Sequence, residues 1–434
     1  MKHFITAAVC GFGSRGKDAY ASYQHLAPDK LKLVAIADPD PEKRDAAVSE
    51  YGVAPANCYQ NGEELLQQPR LADVLIIATQ DRDHIRYALP ALEKGYHLLL
   101  EKPISPSLEE CLELRKKAHE CGRIVIVCHV LRYAQFYQTI HELLQKNILG
   151  PLHTLEATEN IAYWHYAHSY VRGNWRRSED SSPLILAKSC HDMDIIRWLV
   201  GSPCVSLSSY GGLSWFKPEN APDPEAKRCL SGCRCKEECP YDCEKIYLFN
   251  KKSGYYDNNT GWPCNVLTNH PTRETLYEAL RNGPYGRCVY QCDNNVADHQ
   301  TVNMLFENGV SASFVLSAFT EGCYRTVRIT GSFGELEGNL EENTIHVRIF
   351  GKPEQLISLD PISDRFAGHG GGDARMMEYL CNLLLSEDQD ALTSIDASVE
   401  SHVMAMAAEY SRLHGGESVS LTDFTAENMA QQNI

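Results

Sequence analysis

The chain lacks a surplus of positive charge: 41 lysines and arginines stand against 57 aspartates and glutamates, a formal charge of -16. A surface of that sign repels phosphate backbones, so nucleic acid is not an expected partner. It also lacks an apolar run long enough to cross a bilayer, and the opening "MKHFITAAVCGFG" has no separate hydrophobic segment followed by a small-residue cleavage site. No membrane partner is expected, and a cytoplasmic location is. Internal repeats, low-complexity tracts and C-x2-C pairs are missing as well. The 17 cysteines are odd in number and come without an export signal. That combination favours reduced thiols or a metal over a disulfide framework.

What is present points to two domains, because 434 residues exceed what one ordinary core organises. Up to about residue 130, short apolar runs ("FITAAVCGFG", "LKLVAIAD", "ADVLIIAT", "YHLLLEKP", "RIVIVCHV") alternate with helical periodicity. Strands apolar on both faces and separated by helices predict a doubly wound parallel sheet over residues 1–130. From 131 to 434 longer strands of alternating polarity predict an α+β domain with a large, mostly antiparallel open sheet. Asn308-Gly309 marks a hairpin between two of these strands. Residues 217–298 are rich in Pro, Gly, Asn and Cys with little periodicity, and read as an insertion. Helices are predicted over about 371–386 and 396–414, with Gly415 and Gly416 as a stop.

In "AAVCGFGSRGKDAY", Gly11, Gly13 and Gly16 form G-x-G-x-x-G directly after a strand and at the mouth of a helix. Gly11 suits the tight turn, Gly13 the close approach of a pyrophosphate and Gly16 close helix packing, while amides near Ser14 and Arg15 face the phosphates. Asp38 ends the next strand, 22 residues after Gly16. An acid there hydrogen-bonds an adenosine ribose and repels a 2'-phosphate, so NAD is expected over NADP. Lys102, in "HLLLEKPISPS", follows a buried strand at its carboxyl end, where ligands of such sheets bind. On the residues alone it could equally be a solvated strand terminus.

The glycines, Thr79 and His84 in "ATQDRDHIRYALPALEKGYHLLLEKP", and Glu101-Lys102-Pro103 together resemble the Gfo/Idh/MocA family, relatives of glucose-fructose oxidoreductase and inositol dehydrogenase. The likeness covers essentially the whole chain. It implies a Rossmann domain whose cofactor site includes Thr79, His84, Glu101 and Lys102. Lys102 would reach the substrate hydroxyl beside the nicotinamide and Pro103 would bend the chain. In "SSPLILAKSCHDMDIIRWLVG" the family's histidine corresponds to His191 and its following acid to Asp194. The family's aspartate four residues before the histidine is Ala187 here, so Asp194, Lys188 or the substrate must orient His191. The alternative is a core histidine satisfied by a backbone carbonyl. Arg132 and Tyr133 in "HVLRYAQFY", Trp164 and His165 in "YWHYAHSYVRGNWRR", Lys188 and His299 are further candidates for the substrate side. An aromatic sheet edge or subunit contact explains several of them equally well.

The run "RCLSGCRCKEECPYDC" is spaced C-x3-C-x-C-x3-C-x3-C, unlike common zinc patterns. A loop poor in apolar residues can be held by thiolates around zinc, with Cys229, Cys233, Cys239 and Cys288 as the expected ligands and free thiols or disulfides as the alternative. The expected activity is hydride transfer between NAD and a secondary hydroxyl of a sugar, glycoside or cyclitol. Two alternatives are glycoside cleavage through transient oxidation with retained NAD, and a non-catalytic NAD-binding regulator. The second domain is expected to bind substrate and to mediate homo-oligomerisation as a dimer or tetramer.

Overall fold

A computed structural model describes residues 4–360, 368–386 and 391–430. The first sheet is built from β1 (Ile5–Cys10), β2 (Leu31–Ala37), β3 (Cys58–Tyr59), β4 (Val74–Ile77), β5 (His97–Leu100) and β6 (Val125–Val127), in the order β3-β2-β1-β4-β5-β6. All its pairings are parallel. β4 and β6 are buried at every position. That is why their sequences read as continuous apolar runs rather than alternations. The strand order reverses beside β1, and the carboxyl ends of β1, β4 and β5 open onto one crevice.

The second sheet comprises β7 (Leu152–Ala162), β8 (Cys204–Gly212), β9 (His299–Phe306), β10 (Ser311–Thr320), β11 (Tyr324–Gly331), β12 (Gly334–Asn339), β13 (Thr344–Ile349), β14 (Gln355–Ser358) and β15 (Val419–Ser420). Its order is β14-β13-β12-β11-β7-β10-β9-β8-β15. The β7–β10 pair is parallel; the other pairings are antiparallel. Burial alternates strictly along β9, so one face covers a core and the other looks outward. Asn308-Gly309 forms the predicted hairpin, with Gly309 at φ 84°. The stretch between β8 and β9 adds no strand to either sheet.

The C-terminal region returns to the first sheet. The helix Gly372–Leu385 buries Met376, Met377, Leu380 and Cys381 in one cluster with Ile5, Ala7 and Val9 of β1. Without it, one face of the parallel sheet would be bare, and each such side chain contributes roughly 1.5–3 kcal/mol by burial. Ile126 of β6 also bridges to Ser394, just before the helix Ile395–Leu413. A division near residue 130 therefore describes the chain order, while the packing interleaves both parts. Among the described residues no helix is long and apolar enough to cross a membrane.

Candidate active site

The glycine turn has the geometry its spacing implies. Gly11 has φ 86°, and a Cβ there would lie 2.5 Å from the Ala78 carbonyl oxygen; a Cβ on Gly16 would lie 1.9 Å from that of Gly11. A Cβ on Gly13 would meet nothing within 4 Å, so this position faces open space. The helical segment Ser14–Ala21 starts there. At the end of β4 the Thr79 hydroxyl oxygen is buried and has no hydrogen-bond partner among the described residues. Open space over a helix start, with an unpaired hydroxyl beside it, fits a dinucleotide pyrophosphate. Asp38 is buried and fixed by amides, with Oδ2 accepting from Phe12 N at 2.8 Å and Oδ1 from Asp40 N at 3.0 Å. His84 spans the turn, one ring nitrogen 2.7 Å from the Pro103 carbonyl and the other 3.2 Å from that of Thr79.

Lys102 stands at the end of β5 before a cis peptide bond to Pro103. Its ammonium donates to the Ala187 carbonyl oxygen at 2.7 Å. The position that lacks the family's carboxylate thus still meets the lysine, through its backbone. Beside Lys102, Glu101 takes Arg15 Nε at 2.5 Å and the Tyr20 hydroxyl. Arg15 continues to Asp373 at 2.7 Å, and Asp373 to His369 Nδ1 at 3.1 Å. Burial pushes the Glu101 carboxyl up, but Arg15 and Lys102 outweigh it and hold it below the usual carboxylate range. Arg15 therefore braces the glycine loop against Glu101 and the C-terminal helix. His369 and Asp373 had no signal in the sequence beyond the glycine-rich run "GHGGGD".

The segment after Ser182 forms two helices, Leu184–Ala187 and Cys190–Val200, broken at Lys188-Ser189. The Ser182 hydroxyl donates to Asp81 at 2.8 Å. His191 lies in the first turn of the second helix, 3% exposed, with Nδ1 unpartnered among the described residues. Its ring centroid is 5.7 Å from that of His129 and 5.8 Å from that of His369. Burial, then the charge of Lys102 and the adjoining imidazoles, hold His191 well below its ordinary pKa. The ring is neutral at neutral pH.

Several expected site residues take other roles. Asp194 does not orient His191: both its oxygens are held by Arg132, at 2.6 and 2.7 Å. Arg132 is correspondingly withdrawn from a substrate role, being 5% exposed and also bonded to the Leu392 carbonyl. Tyr133 is buried with its hydroxyl 2.9 Å from Thr393 Oγ1. The break at Ser189 removes Lys188 from the helical face of His191, and Lys188 pairs with buried Glu159 at 3.3 Å. Glu159 also pairs with Arg325 at 2.6 Å, and Arg325 with Asp192 at 2.9 Å. Trp164 and His165 stack at 5.8 Å beneath Trp262 of the insertion. His299 Nδ1 is engaged by Asp298 at 2.8 Å.

In the insertion the expected ligand set is also redrawn. Among the described residues, the donors close enough to share one ion are Cys229, Asp242 and Cys243, within 4.8 Å of one another. Cys233, Cys239 and Cys288 line a small cavity against Cys229. The spacing in the run hid this, because the turn at Pro240 brings Cys243 inward and strand-like pairing of Arg228 with Arg287 brings Cys288 alongside.

Residues 5–129 match the family model described as the NAD-binding Rossmann fold of an oxidoreductase family, and residues 141–421 match that family's C-terminal alpha/beta domain. The chain belongs to the Gfo/Idh/MocA oxidoreductase family. It is 25% identical over 427 residues to YteT of Bacillus subtilis, named as an oxidoreductase, with 94% of each chain covered. It is 26% identical over 211 residues to the scyllo-inositol 2-dehydrogenase (NAD(+)) of the same organism, a match covering 49% of this chain and 58% of that enzyme. Among solved structures, an oxidoreductase domain protein from Kribbella flavida superposes with a TM-score of 0.71 at 16% identity, covering 97% of this chain and 100% of that one. An inositol dehydrogenase homolog from Azotobacter vinelandii, complexed with NAD+, gives 0.66 at 18% identity, covering 96% and 97%. At those identities the superpositions speak for the fold.

Proposed function

We propose that the chain is an NAD-dependent oxidoreductase acting on a secondary hydroxyl of a sugar, glycoside or cyclitol, with Lys102 and His191 carrying the chemistry. The observation that carries this reading is the Lys102 ammonium held 2.7 Å from the Ala187 carbonyl, four residues before a buried neutral His191 whose Nδ1 is unpartnered among the described residues. A substrate hydroxyl entering between them exchanges the carbonyl for its own oxygen on Lys102. The lysine charge then stabilises the oxygen as it loses its proton, in a crevice where water is scarce. His191, neutral through burial, accepts that proton. Its orientation comes from packing between His129 and His369 rather than from a carboxylate.

NAD, when bound, supplies the nicotinamide that exchanges the hydride. Gly13, Ser14 and the Thr79 hydroxyl would hold its pyrophosphate side, and Asp38 the adenosine ribose, which favours NAD over NADP. Arg15 acts indirectly, through the Glu101 and Asp373 pairs that set the glycine loop and the Lys102 turn. Trp164 and His165 offer an aromatic wall for the C–H face of a sugar ring. Outward-facing Leu305 and Val315 on β9 and β10, 46% and 42% exposed, support assembly of copies through the second sheet.

A panel of cyclitols, sugars and glycosides, followed by NADH absorbance and product mass together, tests the reading. Accumulating NADH with a product lighter by two hydrogens supports it. An aglycone released without net NADH would replace it with the redox-cycling glycosidase. Tight NAD binding with no turnover of any class would favour a non-catalytic regulator.

A further inference from the structure

The insertion between β8 and β9 packs over a buried cation, Arg172, which among the described residues has no carboxylate hydrogen-bonded to it. Arg172 is 1% exposed. Its Nε donates to the Arg287 carbonyl at 2.8 Å, and its Nη2 to the Tyr241 carbonyl at 2.8 Å and to the Cys229 sulfur at 3.5 Å. Nη1 is buried without a partner among the described residues. A guanidinium does not give up its proton in a protein, so a buried one requires an anion nearby. The groups around it that can ionise are Cys229, Tyr247, Cys243 and Cys292, with Asp242 also within reach of its charge.

Of these groups, Cys229 and Asp242 also border a space of ionic size. Cys229, Cys233, Cys239, Cys288 and Asp242 line a cavity of about 20 Å³. That is room for one atom-sized guest and excludes an organic ligand. Ligand atoms of Cys229, Cys243 and Asp242 lie within 4.8 Å of one another. Donors ~2.3 Å from a shared tetrahedral ion stand ~3.8 Å apart, so only a small inward shift separates this arrangement from a coordination shell. Asp242 is already fixed, because its Oδ1 takes the amides of Glu244 and Lys245 at 3.0 and 3.2 Å. Cys239 joins the same turn through its carbonyl, which accepts from Asp242 N at 3.4 Å.

We propose that the insertion binds one structural zinc ion through Cys229, Cys239, Cys243 and Asp242, with Arg172 as the buried counter-cation of the thiolate set. Three thiolates and a carboxylate around a divalent ion carry a net charge of -2, which Arg172 partly offsets. The thiol protons leave to solvent on binding, and no oxidation is involved. The ion ties the cysteine run to the helical segment Ala167–Arg172, whose preceding turn carries Trp164 and His165. It thereby fixes an aromatic wall of the crevice without touching the reacting atoms.

The test uses the full chain purified without chelator and without a metal-affinity step. Elemental analysis should find about one zinc per chain, and cobalt exchanged into the site should show thiolate-to-metal charge-transfer absorption. Cys229→Ser and Cys243→Ser should each lower the zinc retained on dialysis by at least ~10-fold, while Cys58→Ser, far from the insertion, retains it. Should the variants fail to fold, the zinc content and cobalt spectrum of the unaltered chain still decide. Metal-free protein whose melting temperature is unmoved by added zinc would overturn the proposal. So would a Cys229–Cys243 disulfide found by mass after non-reducing proteolysis.

Discussion

The glycine turn and the histidine crevice face each other across one cleft yet are built on different principles. Gly11, Gly13 and Gly16 fall within six consecutive residues, and their backbone leaves open space at the start of a helix. His191, His129, His369 and His402 come from four separate segments, and their rings meet in a chain with centroids 5.6–5.8 Å apart. The first arrangement draws on one turn of backbone, held by the neighbouring strands and by the Arg15 brace to Glu101 and Asp373. The second depends on tertiary packing throughout. A site that must bind a constant cofactor is local, and one that must fit a variable substrate is assembled.

The largest expected effect follows from the assembled side. His168 and His402 are buried and hydrogen-bonded as neutral rings, and burial holds both at about 3. In the unfolded chain each titrates near 6.5. Because the folded values are depressed, the stability they contribute is complete above about 6.5. It is lost as pH falls from there toward 3, where the unfolded state binds the protons first. Between pH 8 and pH 5 the two together should cost ~4 kcal/mol, read as a falling denaturation midpoint. His402→Gln should reduce that slope, and a midpoint flat from pH 8 to 5 would show that these rings are not held neutral.

Next comes the lysine that joins the two sides. Lys102→Met keeps the aliphatic stem and removes the charge, so kcat should fall at least ~100-fold while NAD binding and thermal stability stay close to the parent. Full activity would reduce Lys102 to a strand terminus. His191→Asn should slow turnover by a comparable factor, and the double variant should lose less than the product of both.

The local side is sharpened by a pair of alanines. Gly16→Ala forces a Cβ against the Gly11 carbonyl at 1.9 Å and should destabilise the fold measurably with or without cofactor. Gly13→Ala meets nothing in the protein and should fold normally, yet weaken NAD by at least ~10-fold, since its methyl group enters the pyrophosphate's space. Calorimetric titration beside thermal melts separates the two outcomes; equal behaviour would mean that the open space over Gly13 is not the phosphate site. The smallest effect belongs to Asp38→Ser, which should cost NAD several-fold and relieve repulsion of NADP, read as a shift in the ratio of the two dissociation constants.

The first sheet is readable almost strand by strand because strands buried on both faces must be apolar throughout, and β4 and β6 show it. The helix Gly372–Leu385 was also foreseen within a residue or two, but not its partner. An apolar helical face states that something covers it, without saying what. The sequence places Arg132 and Tyr133 toward substrate and Asp194 toward His191, because polar residues near a catalytic segment look functional. Their burial and mutual bonds, Arg132 to Asp194 and Tyr133 to Thr393, are long-range facts. His369 and Asp373 went unnoticed because they lie more than 170 residues from His191 in the chain and adjoin it only in space.

The sequence by itself determined the elements whose cause is local: the parallel strands, the glycine turn with Asp38 at the neighbouring strand end, Lys102 after β5, and the hairpin at Asn308-Gly309. Each follows from side-chain size, backbone freedom or periodicity acting over a few residues. Tertiary structure alone decided which acid meets which base. It gave Asp194 to Arg132, Lys188 to Glu159 and His369 to Asp373, and left His191 without a carboxylate partner among the described residues. It also set Arg172 beside Cys229 and drew Cys243 and Asp242 to the same point. The reason is that charge pairing and donor geometry act through space at a few ångströms, whereas sequence separation carries no distance once the chain has folded back on itself.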